Sequence, residues 1–341
     1  MKALRFHEWG GPLRLEDVAD PTPAPGEVLV EVRACGVGRT VLNCISGNLG
    51  SEPDKLPRIP GHELVGTIRA CGSGVDSGRE GELVAAYFYL TCGECRACYA
   101  GMQSCCENFA GYLGVDRDGG YAELVTLPAQ SALPLPEGLD PVTATVVPDA
   151  VATPVHVAGV ANIRAGDRVV VVGAAGGVGA HMAQVAALHG ATVLGLDVDR
   201  RKLDFLADEL GVDVADSSDF SSVRLPVAWS GADVVVDFLG SAKSLRWSLD
   251  ALGVGGRLVV LTTFKDVDVA VSPRQLVTRH QTIAGSRYCG KAEFMRAADL
   301  VARGDVRAVI GAQVGLDGIT ALHDRLAAGE VMGRGALALD G

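Results

Sequence analysis

The chain lacks several features that would assign it to broad classes of protein. Its 341 residues include 30 Lys and Arg against 41 Asp and Glu, a formal net charge of −11, and no basic run is long enough to follow a phosphate backbone. We therefore expect no nucleic-acid partner. The opening residues MKALRFHEWGG have no apolar core behind their charges, so we expect no secretory signal and a cytoplasmic protein.

The sequence also lacks an uninterrupted apolar run of membrane-spanning length. The most apolar stretch, residues 169–196, contains four glycines between Gly173 and Gly179, and it also contains His181, Gln184 and His189. This pattern predicts a buried strand, a turn and a helix, and no membrane association. Internal repeats and low-complexity segments are absent as well.

The length predicts two domains, because 341 residues exceed what one hydrophobic core usually organises. Short strands separated by glycine and proline run through about Gly138, whereas from Arg168 apolar runs alternate with amphipathic segments of helical length. We predict strands at 169–172, 192–196, 233–238 and 257–261, and helices at 293–302 and 319–328. The fold class is α/β, with a doubly wound parallel sheet at 151–285 and a β-rich domain from 1–150 and 286–341.

The segment 168–202, RVVVVGAAGGVGAHMAQVAALHGATVLGLDVDRRK, has the order of a dinucleotide-binding unit. Gly176 and Gly177 would let the backbone approach a pyrophosphate, and Gly179 would let the helix pack closely on the sheet. The predicted cofactor-binding residues of this turn are Gly173, Ala174, Gly176, Gly177, Val178 and Gly179.

An acidic residue ends the second strand of this unit. Asp197 lies 18 residues after Gly179 and would accept hydrogen bonds from the adenosine ribose. A carboxylate at this place repels a ribose phosphate, so the sequence favours NAD over NADP. Arg200 and Arg201 follow closely and could accommodate a phosphate, which leaves NADP open.

Four cysteines have the spacing of a zinc site. Cys92, Cys95 and Cys98 are each separated by two residues, and Cys106 follows after seven more. Four thiolates close a tetrahedral site and leave no position for substrate, so we predict a structural zinc in the loop 92–106. Cys105 is expected to be a bystander.

The glycine turn with Asp197, the four-cysteine loop and the segment Pro60-Gly61-His62-Glu63 together resemble the medium-chain, zinc-containing alcohol dehydrogenase family. The resemblance covers almost the whole chain. It implies a GroES-like catalytic domain and an NAD(P)-dependent enzyme that interconverts an alcohol and an aldehyde or ketone by direct hydride transfer. It further implies a small-molecule substrate, a homodimer or homotetramer, and contacts from Lys202 to the adenosine ribose and from Arg334 to the pyrophosphate.

The resemblance also implies a second, catalytic zinc, and here the chain departs from the family. His62, Glu63 and Asp149 match ligand positions, but the family pattern Gly-Val-Cys-x-Thr-Asp-x-His appears as GVGRTVLN, so that Gly38 replaces the thiolate. Val41 replaces the acid that orients the histidine. Thr40 remains, and its hydroxyl would exchange a proton with the substrate oxygen.

Two interpretations of this departure predict different chemistry. Zinc held by His62, Glu63, Asp149 and water would still polarise a carbonyl. Without that zinc, hydride would go to an activated acceptor such as an enone, a quinone or an enoyl thioester. A third hypothesis, from another class, is an NAD-binding protein without catalysis.

Overall fold

The computed structural model describes residues 1–262 and 267–339. Its strands are β1 (Lys2–Arg5), β2 (Arg14–Asp17), β3 (Glu27–Val37), β4 (Glu63–Cys71), β5 (Leu83–Ala86), β6 (Leu124–Pro128), β7 (Ala132–Pro134), β8 (Arg168–Val172), β9 (Thr192–Asp197), β10 (Asp213–Asp216), β11 (Ala232–Asp237), β12 (Leu252–Val260), β13 (Thr282–Gly285), β14 (Ile310–Val314) and β15 (Arg334–Ala338). Its α-helices are α1 (Arg39–Ile45), α2 (Arg96–Tyr99), α3 (Pro141–Ala144), α4 (Ala152–Val160), α5 (Gly179–Leu188), α6 (Arg200–Leu210), α7 (Ala242–Ala251), α8 (Pro273–Arg279), α9 (Lys291–Ala302) and α10 (Ile319–Ala327).

The chain divides into two units. The first comprises Met1–Ala152, Cys289–Gly304 and Ala308–Gly341, and the second comprises Thr153–Tyr288 and Asp305–Arg307. The described residues contain no helix that is long and apolar enough to cross a membrane.

The second unit is built on a parallel sheet with the strand order β10-β9-β8-β11-β12-β13. The four strands predicted here are confirmed at β8, β9, β11 and β12. Residues 169–172 of β8 are valines with no exposed surface, as expected for a central strand covered on both faces. This strand order is that of a Rossmann sheet, in which the first strand, β8, lies at the switch point where ligands bind.

The first unit is built on a mostly antiparallel sheet with the order β14-β15-β3-β4-β5-β7, and β6 also pairs with β3. Its two predicted C-terminal helices are confirmed at α9 and α10. Buried hydroxyls join the two ends of the chain within this unit. The hydroxyl of Tyr87 donates to the carbonyl of Cys289 at 2.6 Å, and that of Tyr121 lies 3.0 Å from His323 Nε2. In the sheet, β15 pairs with β3, and this pairing positions the polar cluster described below.

Candidate active site and zinc centre

The glycine turn connects β8 to α5 in the second unit. A Cβ atom at Gly179 would lie 2.8 Å from Ala174 Cα and would collide with the carbonyl of Gly173, so only glycine permits this approach. Gly173 itself has φ of +79°, a conformation that favours glycine. The turn ends at the first residue of α5, whose unpaired N–H groups are suited to an anion.

Asp197, at the end of β9, is tied to this turn. Its Oδ2 accepts a hydrogen bond from the N–H of Ala175 at 2.9 Å, and its Oδ1 accepts one from Val198 at 2.8 Å. The two arginines that left NADP open are each paired with an acid: Arg200 with Asp204 at 2.9 Å, and Arg201 with Asp199 at 3.2 Å. Among the described residues, Asp197 is the only acidic residue whose side chain hydrogen-bonds to the turn.

His181 supports the turn from inside α5, a role that the sequence did not indicate. The ring has no exposed surface, and its Nδ1 lies 2.6 Å from the carbonyl oxygen of Gly177. Burial lowers the pKa of His181 to about 4, so the ring is neutral and Nδ1–H donates. The four-residue spacing from Gly177, in the turn, to His181, in the first turn of α5, is the signal that could have revealed this contact.

The four predicted cysteines converge in the first unit. Their sulfurs all lie within 4.8 Å of one another, with Cys92–Cys106 at 3.5 Å and Cys95–Cys106 at 3.9 Å. A tetrahedral zinc with Zn–S bonds of about 2.3 Å separates its sulfurs by about 3.8 Å, so the set fits zinc. Backbone N–H groups of Cys98 and Glu107 donate to the sulfur of Cys95 and lower its pKa to about 6, which favours the thiolate ligand.

The second polar cluster lies where β4 begins. Gly61, with φ of +98°, turns the chain so that His62 and Glu63 enter the interior. Glu63 has no exposed surface, and the ring of His62 packs edge-on against Phe88 with ring centroids 4.6 Å apart. Burial, and then the charge of Arg334, lower the pKa of His62 to about 3, so the ring is neutral. His62 Nε2 has no hydrogen-bond partner within the described part of the chain.

Asp149 and Arg334 complete this cluster. Asp149 lies in a π-helical turn, Val147–Val151, and the nitrogen and carboxylate oxygens of His62, Glu63 and Asp149 lie within 4.8 Å of one another. The Arg334 guanidinium, 4% exposed, forms an ion pair with Glu63 and lies 3.7 Å from Asp149 Oδ2. The predicted contact between Arg334 and a pyrophosphate stays a prediction.

The three ligand atoms have a spacing that one metal ion could bridge, but the set does not fit the catalytic zinc of the family. Position 38 supplies no thiolate, and a guanidinium already pairs with both acids. A divalent cation at this place would meet a positive charge at close range and would compete for the same carboxylate oxygens. The predicted participation of Thr40, in the first turn of α1, stays a prediction as well.

A parallel nucleotide-binding sheet, a tight glycine turn with an acid at the next strand end, and a four-cysteine loop define a nicotinamide-dependent dehydrogenase with zinc. Two family models match the chain: the alcohol dehydrogenase GroES-like domain at residues 24–137 and the zinc-binding dehydrogenase at 177–303. The chain belongs to the zinc-containing alcohol dehydrogenase family.

Relatives match along the whole chain. An alcohol dehydrogenase of Moraxella sp. is 34% identical to this chain, and the match covers 98% of each chain. An NAD-dependent alcohol dehydrogenase of Sulfolobus acidocaldarius is 30% identical, with 99% of both chains covered. The cobalt- and zinc-bound thermostable alcohol dehydrogenase from Pyrobaculum aerophilum has a TM-score of 0.87 at 30% identity, over 98% of this chain and 99% of that one.

These comparisons confirm the predicted family and fold class, the oxidoreductase activity on alcohols and carbonyls, and the use of NAD(P) and zinc. They favour neither the conjugated acceptor nor the non-catalytic hypothesis.

The cysteine loop generates a first prediction. We expect Cys95→Ser to lose the zinc measured by mass spectrometry of the purified protein and to lower Tm by roughly 4–8 °C, because about 2 kcal/mol of lost stabilisation has this effect in a domain of about 200 residues. Cys105→Ser, at the exposed neighbour, is the matched control and should retain zinc and Tm. Equal zinc contents in the two variants would contradict the assignment.

Asp197 generates a second prediction. Asp197→Asn keeps an acceptor for Ala175 but removes the charge, so we expect Kd for NADH to rise about tenfold and the preference for NADH over NADPH to shrink. Fluorescence titration with both cofactors measures the change. Asp208→Asn, at an exposed position further along α6, serves as control and should leave both constants unchanged. An unaltered cofactor preference in Asp197→Asn would sink the proposed ribose contact.

Proposed function

We propose that this protein oxidises a small alcohol, or reduces the matching aldehyde or ketone, by transferring hydride directly between the substrate carbon and NAD(H). The balanced reaction converts alcohol and NAD⁺ into carbonyl, NADH and one proton. The observation that carries the proposal is the glycine turn bonded to Asp197, which provides the anion site and the ribose acceptor of an NAD site together. The relatives named as alcohol dehydrogenases support the substrate class.

NAD is the preferred cofactor in this proposal. The Asp197 carboxylate would meet the two ribose hydroxyls and repel a phosphate. Arg200 and Arg201, which could have attracted that phosphate, are each paired with an acid of their own. We further propose that Lys202, in the first turn of α6, contacts the adenosine ribose.

The polar cluster of the first unit would receive the substrate oxygen. A buried nitrogen without a hydrogen-bond partner is costly, and His62 Nε2 is such an atom in the described residues, so an external hydroxyl or carbonyl-derived group is its natural partner. Thr40 would exchange the proton with that oxygen, because a threonine hydroxyl both donates and accepts. Glu63 and Asp149 set the charge around His62.

The cellular context is also a proposal. We propose a cytoplasmic enzyme, a location compatible with the acidic composition. The family resemblance supports a homodimer or a homotetramer.

A substrate panel tests the proposed reaction. The purified protein is given NAD⁺ with primary and secondary alcohols, and NADH with aldehydes, ketones, enones and quinones, while NADH absorbance is followed. We expect turnover with members of the alcohol and simple carbonyl series. If NADH binds but only enones or quinones consume it, or if every compound is silent, the proposed reaction is wrong.

Thr40 gives a third prediction. Thr40→Ala removes the hydroxyl while keeping a good helix former in α1, so we expect kcat to fall about 10²-fold or more with little change in Kd for NADH. Thr40→Ser is the matched control and should retain most of the activity. Steady-state rates with the best substrate of the panel measure the difference. Equal kcat values for Thr40→Ala and wild type would remove Thr40 from the mechanism.

A further inference from the structure

The polar cluster owes its geometry to two strands that flank β3. Gly36 of β3 pairs with Glu63 of β4 on one side and with Ala336 of β15 on the other. One step beyond the Gly335–Val37 pair, Arg334 lies beside Gly38, which follows β3 with extended backbone. The side chain of Arg334 therefore crosses the end of β3 to reach Glu63.

Gly38 is what makes this crossing possible. A Cβ atom at position 38 would lie 2.7 Å from Arg334 Nη2 and closer still to Nη1 and Cζ. Any side chain there, cysteine included, would have to displace the guanidinium. A thiolate ligand at position 38 and the observed place of Arg334 are mutually exclusive.

The crossing places a fixed positive charge between the acids. Glu63 is fully buried, so its carboxylate needs a cation nearby, and Asp149, 15% exposed, lies 3.7 Å from the same guanidinium. An arginine guanidinium keeps its charge at neutral pH even when it is buried, and this one forms an ion pair with Glu63.

We infer that Arg334 replaces the catalytic metal in this chain: its guanidinium supplies the positive charge among His62, Glu63 and Asp149, and Gly38 provides the space it needs. The protein then binds one zinc, in the cysteine loop, and Arg334 is a positioning residue that acts through the two acids. An arginine is suited to this place, because its planar guanidinium pairs with carboxylates and stays protonated when buried. The cluster's place in the reaction rests on the proposed function.

Counting metal atoms tests this inference independently of turnover. The full-length protein is purified, saturated with zinc, freed of excess metal by gel filtration and analysed by mass spectrometry. We expect one zinc per chain in wild type and in His62→Gln, and none in Cys95→Ser. Two zincs in wild type, with one of them lost in His62→Gln, would overturn the inference even if the activity panel succeeds.

Removing the guanidinium tests whether Arg334 keeps a second zinc ion out of the polar cluster. We expect Arg334→Gln to take up a second zinc, and Gly38→Cys/Arg334→Gln to hold it more tightly, because a thiolate then completes the set. Cobalt substitution reports the added thiolate by its visible absorption. Arg117→Gln removes another arginine, paired with Glu27 in the same unit, and should stay at one zinc. If Arg334→Gln folds but still binds only one zinc per chain, the guanidinium is not what excludes the second metal ion. If that variant does not fold, the wild-type and His62→Gln counts decide.

Discussion

Glu63 carries a carboxylate with no exposed surface, and the guanidinium of Arg334 lies beside it as an ion-pair partner. Removing one partner of a buried ion pair typically costs about 3–5 kcal/mol, so a cation here is a requirement of the fold as well as of the chemistry. Arg334 meets that requirement from β15, across a strand end that has no side chain at Gly38. The sheet order β15-β3-β4 is therefore tied to the charge balance of the site.

The three functional features of the chain have separate physical origins. The sulfurs of the four cysteines lie within 4.8 Å of one another, so the structural zinc proposed for this loop does not depend on what occupies the polar cluster. The glycine turn and Asp197 depend on the parallel sheet of the second unit and form the proposed cofactor site. Of these three features, only the polar cluster departs from the family pattern, because Gly38 stands at the thiolate position and Arg334 lies against the acids. A guanidinium cannot be removed by a chelator, which separates it chemically from a zinc ion.

Features set by short-range spacing could be predicted from the sequence. The cysteine spacing and the strand-turn-helix order ending at Asp197 each lie within a few tens of residues, and each is formed as expected. The sequence also revealed that Gly38 removes a ligand. It could not reveal what fills that space, because Arg334 lies 296 positions away and only the pairing of β15 with β3 brings the two together. His181 escaped for a different reason, since a buried histidine on an apolar helix face resembles an ordinary packing residue.

Anomalous diffraction at the zinc absorption edge, from crystals of the zinc-saturated protein, tests the replacement of the catalytic metal most directly. We expect one anomalous peak per chain, among Cys92, Cys95, Cys98 and Cys106, together with guanidinium density between Glu63 and Gly38. A second peak bonded to His62 Nε2 and Glu63, with Arg334 turned away from the acids, would contradict it.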